Sequence, residues 1–238
     1  MKPLFSILIF CQVMLSQTLT VKYNSILLDQ KDDYGNYYFE NGVLITNQDN
    51  STYTIIPKDT IVENEILGSI SSSSNDYKQV FFKDIKNGTV IYDETNGMGG
   101  RTRLVKDDTY RITWKINDNH KIILGYEAQE ATGWFRGREY RAYFASKIPY
   151  SNGPFKFDGL PGLVLEVISE DKTVHIRAKE ITKSSETIYC PFNISERMLT
   201  WAEFKKIYKL YFEKTISYRS SSDSQIVVPN RGIEYYVD

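Results

Sequence analysis

The sequence predicts a mainly β protein: a single curved antiparallel sheet or half-barrel with one C-terminal amphipathic helix packed on it. Short runs that alternate apolar and polar residues recur through most of the chain, separated by turns rich in Gly, Asn and Asp. Aromatic residues reach 14%, with 18 Tyr and 12 Phe, a composition that suits half-buried pleated faces. One stretch alone, after Thr200, changes to a helical period. With 238 residues, 41% of them hydrophobic, the chain can bury one large core, and no Pro/Gly/Ser-rich linker divides residues 18–238.

Residues 1–17 carry one early Lys and then an apolar run too short to span a bilayer comfortably, the pattern of a secretory signal peptide. The expected mature chain is exported, to the periplasm, the outer membrane or the medium, and has no transmembrane helix. Cys11 follows the bulky pair Ile9 and Phe10 and is read as part of the apolar run. Cys190 then remains the only cysteine, so an intramolecular disulfide is excluded and the core must supply the stability. Its expected role is that of a small, mostly buried apolar residue.

The run Leu19-Thr-Val-Lys-Tyr-Asn24 alternates and predicts a first strand. Tyr53-Thr-Ile-Ile56 predicts another, ending at Pro57, whereas residues 69–75 read as a polar loop. Asn87-Gly88, between β-rich runs over 78–92, is a hairpin signal. Gly97-Met-Gly-Gly100 marks a loop. Residues 110–116 and 121–126 predict a second hairpin around Asn117-Asp-Asn119, and Trp134-Phe135 and residues 140–144 a third around Arg136-Gly137-Arg138. A strand over 163–168 should turn at Glu170-Asp-Lys172 and return over 173–181. Thr200-Trp-Ala-Glu203 is a capping box, after which Trp201, Phe204, Ile207, Tyr208 and Tyr211 recur at helical spacing with a core-facing stripe expected.

The near-neutral charge, net −1, gives no basic footprint for nucleic acid. No local motif places a nucleophile beside a base: Ser146, Ser151 and Ser169 lack the nucleophile elbow. The two histidines, His120 and His175, stand apart from any metal-ligand spacing. Asp32-Asp33 and Asp107-Asp108 lack the spaced ligands of a calcium loop and are read as solvated loop charge. Residues 97–100 lack the Lys-Ser/Thr that would make them a phosphate loop. No enzyme, metal or cofactor is therefore expected.

The most distinctive segment is Ile148-Pro-Tyr-Ser-Asn-Gly-Pro-Phe-Lys-Phe-Asp-Gly-Leu-Pro-Gly-Leu-Val-Leu-Glu-Val167. Its prolines fix φ and its glycines open the positive-φ region, so Gly153, Pro154, Phe155, Gly159, Leu160, Pro161, Gly162 and Leu163 can hold one compact loop. This segment closely resembles the signature of the GLPGLI family, with Phe155 where relatives usually have Trp and Val164 where they have Ile. Residues 121–168 carry the resemblance most strongly; Arg136, Gly137 and Arg138 match an Arg-Gly-Arg element, and Asn230-Arg-Gly-Ile-Glu234 is similar to the Asn-x-Ile-Glu ending, with one residue inserted. Relatives often carry a cysteine pair just before the Arg-Gly-Arg element; none is present here.

The resemblance implies an exported protein of Gram-negative bacteria, brings no known activity, and removes the meaning of the Asn-x-Ser/Thr triplets at Asn50, Asn87 and Asn193. Arg136 and Arg138 read either as forked donors for a carboxylate or phosphate, or as an edge-turn ion pair with Glu139 or Asp158; the second is preferred. The signature loop reads as a rigid corner with Leu160 and Leu163 in the core. An apolar groove on the concave side would make this a binding protein for a hydrophobic ligand or a peptide. The alternative is an accessory or structural partner of an outer-membrane protein.

Overall fold

A computed structural model of the chain describes residues 17–29, 36–57, 60–64, 68–72, 78–94, 102–217 and 233–234. Residues 1–16 of the expected signal segment, Asp32-Asp33, residues 97–100 and residues 230–232 of the expected ending lie outside them. Among the described residues, fourteen strands and one helix follow in chain order: β1 (Thr18–Asp29), β2 (Asn36–Thr46), β3 (Asn50–Pro57), β4 (Thr60–Asn64), β5 (Gly68–Ser72), β6 (Gln79–Asp84), β7 (Thr89–Glu94), β8 (Arg103–Asp107), β9 (Lys115–Ile123), β10 (Tyr126–Phe135), β11 (Arg138–Ala145), β12 (Leu163–Ser169), β13 (Val174–Ser184), β14 (Leu199–Thr200) and α1 (Trp201–Ser217).

Twelve strands form one sheet in the order β14-β8-β7-β6-β3-β2-β1-β13-β12-β11-β10-β9, and β4 and β5 pair separately. The sheet is two meanders joined at the centre, where β1 pairs antiparallel with both β2 and β13. In a flat sheet the ten spacings between β8 and β9 would put these strands roughly 48 Å apart. Yet residues 108–114 join them, a link that reaches at most about 29 Å when fully extended. The sheet must curl, as expected, and it stops short of closure because β9 and β14 do not pair.

Inward-facing residues line up across neighbouring strands: Leu44 stands opposite Tyr53 and Tyr53 opposite Phe81, which in turn faces Tyr92, and all four are buried. The aromatic rings form a chain from Tyr23 through Tyr53 and Phe81 to Tyr92, with Tyr53 6.2 Å from Tyr23 and Phe81 5.1 Å from Tyr92. The β6–β7 hairpin turns at Asn87-Gly88 as read, with Gly88 at φ 66°. The hairpin centred on 117–119 is a correction. Residues 115–123 are one strand, and the turn comes at Leu124 and Gly125, with φ of 51° and 80°. Ile116 pairs with Ala131 and His120 with Gln129, so Asn117, Asp118 and Asn119 together face Glu130 as a bulge. Both asparagine amides donate to the Glu130 carboxylate, and Gln129 donates to the Asn117 carbonyl, which occupies the polar groups a turn would have used. Residues 69–72, expected in a loop, belong to β5.

The capping box is formed: the Glu203 amide donates to Thr200 Oγ1, and the Thr200 amide donates to the Glu203 carboxylate. Phe204 and Tyr208 are buried against the sheet, while Ile207 and Tyr211 are partly exposed and Leu210 is 60% exposed. The stripe is therefore only half covered. The two edges are blunted differently, β9 by its bulge and β14 by its two-residue length and the helix that follows, devices that discourage edge-to-edge pairing.

Candidate functional site: the signature loop and its buried ion quartet

Between β11 and β12 the chain enters the concave side of the sheet. Asn152, Gly153, Pro154, Phe155, Lys156, Phe157 and Asp158 are all buried, so each backbone group needs a partner there. Many are found locally: Phe157 N donates to Pro154 O, Gly162 N to Leu160 O, Leu163 N to Ile148 O and Val164 N to Asn152 O. Lys83 Nζ donates to Gly153 O at 2.9 Å and Trp114 Nε1 to Asp158 O at 2.8 Å. Phe155 holds φ 50°, a strained value for a non-glycine, with its ring edge-on to Phe81 at 4.8 Å. Gly159, at φ 86°, turns the chain back, with Pro161 exposed at the tip and Leu160 and Leu163 buried as expected. The concave side, expected as a possible groove, is filled by this loop and the aromatic core.

Beneath the loop lies a quartet of charges. Arg136, on the β10–β11 turn at φ 40°, bonds Asp107 from β8 at 2.8 Å and also bonds Glu234. Lys156, from the loop, bonds Asp107 at 3.2 Å and Glu234 at 2.5 Å. The Trp201 ring of α1 covers both cations, 3.6 Å from the Arg136 guanidinium carbon and 5.0 Å from Lys156 Nζ, and Tyr140 donates its hydroxyl to Ile233 O at 2.5 Å. Burial raises the Asp107 carboxyl, but Lys156 and Arg136 outweigh it and hold it below its ordinary range. Asp107, read as solvated, is thus fully buried; Asp108 beside it is exposed as expected.

A second polar pair supports the loop from the other side. Tyr110 donates to Asp158 Oδ2 at 2.8 Å. Burial pushes the Asp158 carboxyl up against the opposing pull of Lys83 and the Tyr110 hydrogen bond. Burial also brings the Lys83 ammonium down to about 8, opposed by Asp158. Asp158 therefore serves Tyr110, not the arginines. Arg138, expected to pair with Glu139 or Asp158, meets Asp171 at 3.3 Å.

On the outer face, Glu166 is met by Lys121, by His175 at 2.7 Å and by Arg177 at 3.2 Å. Burial opposes, yet His175, Lys121 and Arg177 together bring its carboxyl down to about 2. His120 Nδ1 donates to the Asp118 carbonyl at 2.7 Å. Ser169 bonds Asp171 and receives the Val174 amide, whereas Ser146 and Ser151 are exposed. Cys190 is half-buried and unoxidised. Among the described residues no cluster of three or more His, Cys, Asp or Glu is arranged to hold a metal ion, and no helix is long and apolar enough to cross a membrane.

Also on the outer face, Ile45, Thr52, Thr54 and Val80 form the floor of an open cleft of about 240 Å³ whose wall is the segment with Glu186, Thr187, Ile188, Tyr189 and Pro191. These floor residues alternate with the core residues Leu44, Tyr53 and Phe81 along the same strands. Arg136 and the loop were legible in the sequence, but Asp107 and Glu234 as the shared ion partners of Arg136 and Lys156 were not, nor was the cleft. The only available signal was that the Arg-Gly-Arg element, the signature and the Ile-Glu ending are separate marks of one resemblance; the quartet joins all three.

The family model described as "Protein of unknown function (Porph_ging)" matches residues 135–166, a stretch that contains Arg136, β11 and the whole buried loop. No curated protein matches the chain. Among solved structures, PNGF-II in space group C2 is similar at 14% identity and a TM-score of 0.53, over 82% of this chain and 33% of that one. The P21 form of PNGF-II gives 15% identity and a TM-score of 0.54, over 82% and 34%. The chain spans about a third of the length of PNGF-II, and the likeness is one of fold.

Proposed function

We propose that the chain is an exported binding protein of the GLPGLI type, without catalytic chemistry of its own, that seats an apolar group of a peptide or small ligand on the outer face of its sheet. The observation that carries this reading is the cleft over Ile45, Thr52, Thr54 and Val80. At about 240 Å³ it falls below the range of roughly 300–1,000 Å³ usual for sites that enclose a drug-sized ligand, a size suited to one apolar side chain or a short acyl group. Isoleucine, valine and proline supply apolar contact, the two threonines supply hydroxyls, and Glu186 stands in the wall where an amine or amide N–H can pair.

The ionic groups of the signature loop support a non-catalytic reading, since Asp107, Arg136, Lys156 and Glu234 already bond one another. Export rests on the apolar N-terminal segment. Native mass spectrometry of the mature protein, purified gently from its own envelope, tests both parts. A cleaved chain carrying a reproducible adduct that Val80→Asp abolishes is the expected result. A chain that keeps residues 1–17, or an adduct unchanged by the substitution, overturns the corresponding part.

A second reading, an accessory role beside an outer-membrane protein, draws on Ile207, Leu210 and Tyr211, which leave an apolar strip on the outer side of α1. Cross-linking in intact envelopes from a photoreactive residue at position 210 should then capture one reproducible partner, and capture of none counts against it.

A further inference from the structure

The geometry points to the slot between Arg136 and Lys156 as a receptor for an apolar–glutamate peptide segment, of which this chain's own Ile233–Glu234 is the resident occupant and which the same segment supplied in trans can fill. The slot is assembled by elements far from the tail in sequence. Asp107 comes from the end of β8, Arg136 from the β10–β11 turn, Lys156 from the signature loop, Tyr140 from β11 and Trp201 from the start of α1.

Three separate features of a dipeptide are read there. Tyr140 donates to the backbone carbonyl of Ile233, the Ile233 side chain is buried, and the Glu234 carboxylate takes Arg136 on one oxygen and Lys156 on the other. The division of oxygens, one guanidinium and one ammonium, is how proteins recognise a carboxylate rather than tolerate one.

Charge counting says why the slot needs an occupant. Lys156 is fully buried and the Arg136 side chain is 12% exposed. Asp107 bonds both, and Thr109 further fixes Asp107 and Arg136. With the tail withdrawn, both cations would lose the Glu234 carboxylate in a site shielded by Trp201. A buried charge without its partner is costly, so the empty slot is an anion receptor by its composition, and the carbonyl and apolar contacts select a peptide over a free anion.

The test uses the full chain carrying Glu234→Gln and a fluorescein-labelled synthetic peptide with the sequence of residues 229–238, followed by fluorescence anisotropy. Saturable binding is expected. The peptide carrying Glu234→Gln should bind at least tenfold more weakly, and so should the unsubstituted peptide to the unsubstituted chain, whose own tail competes. A folded Glu234→Gln chain, verified by circular dichroism, that binds neither peptide, or both equally, overturns the proposal. If that variant does not fold alone, the peptide should restore its folding when present during refolding, and failure to restore it also overturns the proposal. Adding Lys156→Met to the Glu234→Gln chain should abolish binding; a peptide that still binds the folded double variant is held elsewhere, and the assignment to this slot is wrong.

Discussion

Replacing Gly153 by alanine should be one of the most damaging single-methyl additions in the molecule. A Cβ built there would stand 2.4 Å from the carbonyl oxygen of Phe157 and 2.6 Å from Val164 Cβ. Neither neighbour is free to retreat: Phe157 N is tied to Pro154 O, Val164 N to Asn152 O, and Gly153 O itself holds Lys83. The methyl must therefore push the loop off the sheet or break these bonds. Overpacking of this kind costs about 3 kcal/mol, and a domain of this size loses about 2–4 °C per kcal/mol, so the melting temperature should fall by about 6–12 °C. Gly125→Ala is the control. Its Cβ meets nothing within 4 Å, but its φ is 80°, so only the dihedral penalty of about 1–2 kcal/mol applies. Thermal unfolding followed by circular dichroism at neutral pH compares the two. If Gly153→Ala melts at or above Gly125→Ala, the loop is not clamped as described.

Asp107→Asn should destabilise the fold by about 3–5 kcal/mol, because it leaves Arg136 and Lys156 sharing one carboxylate in a buried site; urea unfolding measures it, and a loss below 1 kcal/mol would mean the quartet is open to water. Glu166 is held at about 2, below its unfolded value, so its contribution is present above about pH 4.5 and fades as pH falls toward 2. Solvent at the cations reduces this contribution to about 1 kcal/mol, and Glu166→Gln should flatten the acid limb of stability against pH by that amount. Lys83 also makes stability rise with pH, but in a higher window and by relief of a burial penalty. Its folded value, about 8, lies below its unfolded one, so the unfolded chain binds the extra proton and stability should rise between pH 8 and about 10; a profile of Lys83→Met that still rises would assign the effect elsewhere. Thr200→Ala removes the helix cap and should cost about 1 kcal/mol, read as a melting shift of a few degrees.

The sheet was legible in the sequence wherever alternation and turn chemistry agreed, as at Asn87-Gly88 and Arg136-Gly137, because both signals are local. Asn117-Asp-Asn119 misled for the same reason: turn-forming residues in a bulge look like a turn until Glu130, across the sheet, claims their amides. The loop's rigidity could be read from its prolines and glycines, but its depth could not, since the aromatic rings it packs against come from β6, β10 and β11. Asp107 looked solvated because its partners lie 29 and 49 residues onward in Arg136 and Lys156. The cleft was invisible to inspection, being made of outward-facing threonines and isoleucine that any half-buried strand would carry.

The seam at the centre of the sheet sets the order in which the protein can be made. Each meander is stitched from strands close in sequence, with only β4 and β5 set between β3 and β6, but β1 meets β13 with Thr18 opposite Ser184 and Leu27 opposite Val174, so that junction cannot begin until the chain has reached β13. Closing so long a loop must precede any gain from the contacts it brings, which places the chain among slow folders governed by distant pairings. Substitutions along β1 and β13 should therefore slow the final zippering of two preassembled halves, while changes within either meander mostly hasten its unravelling.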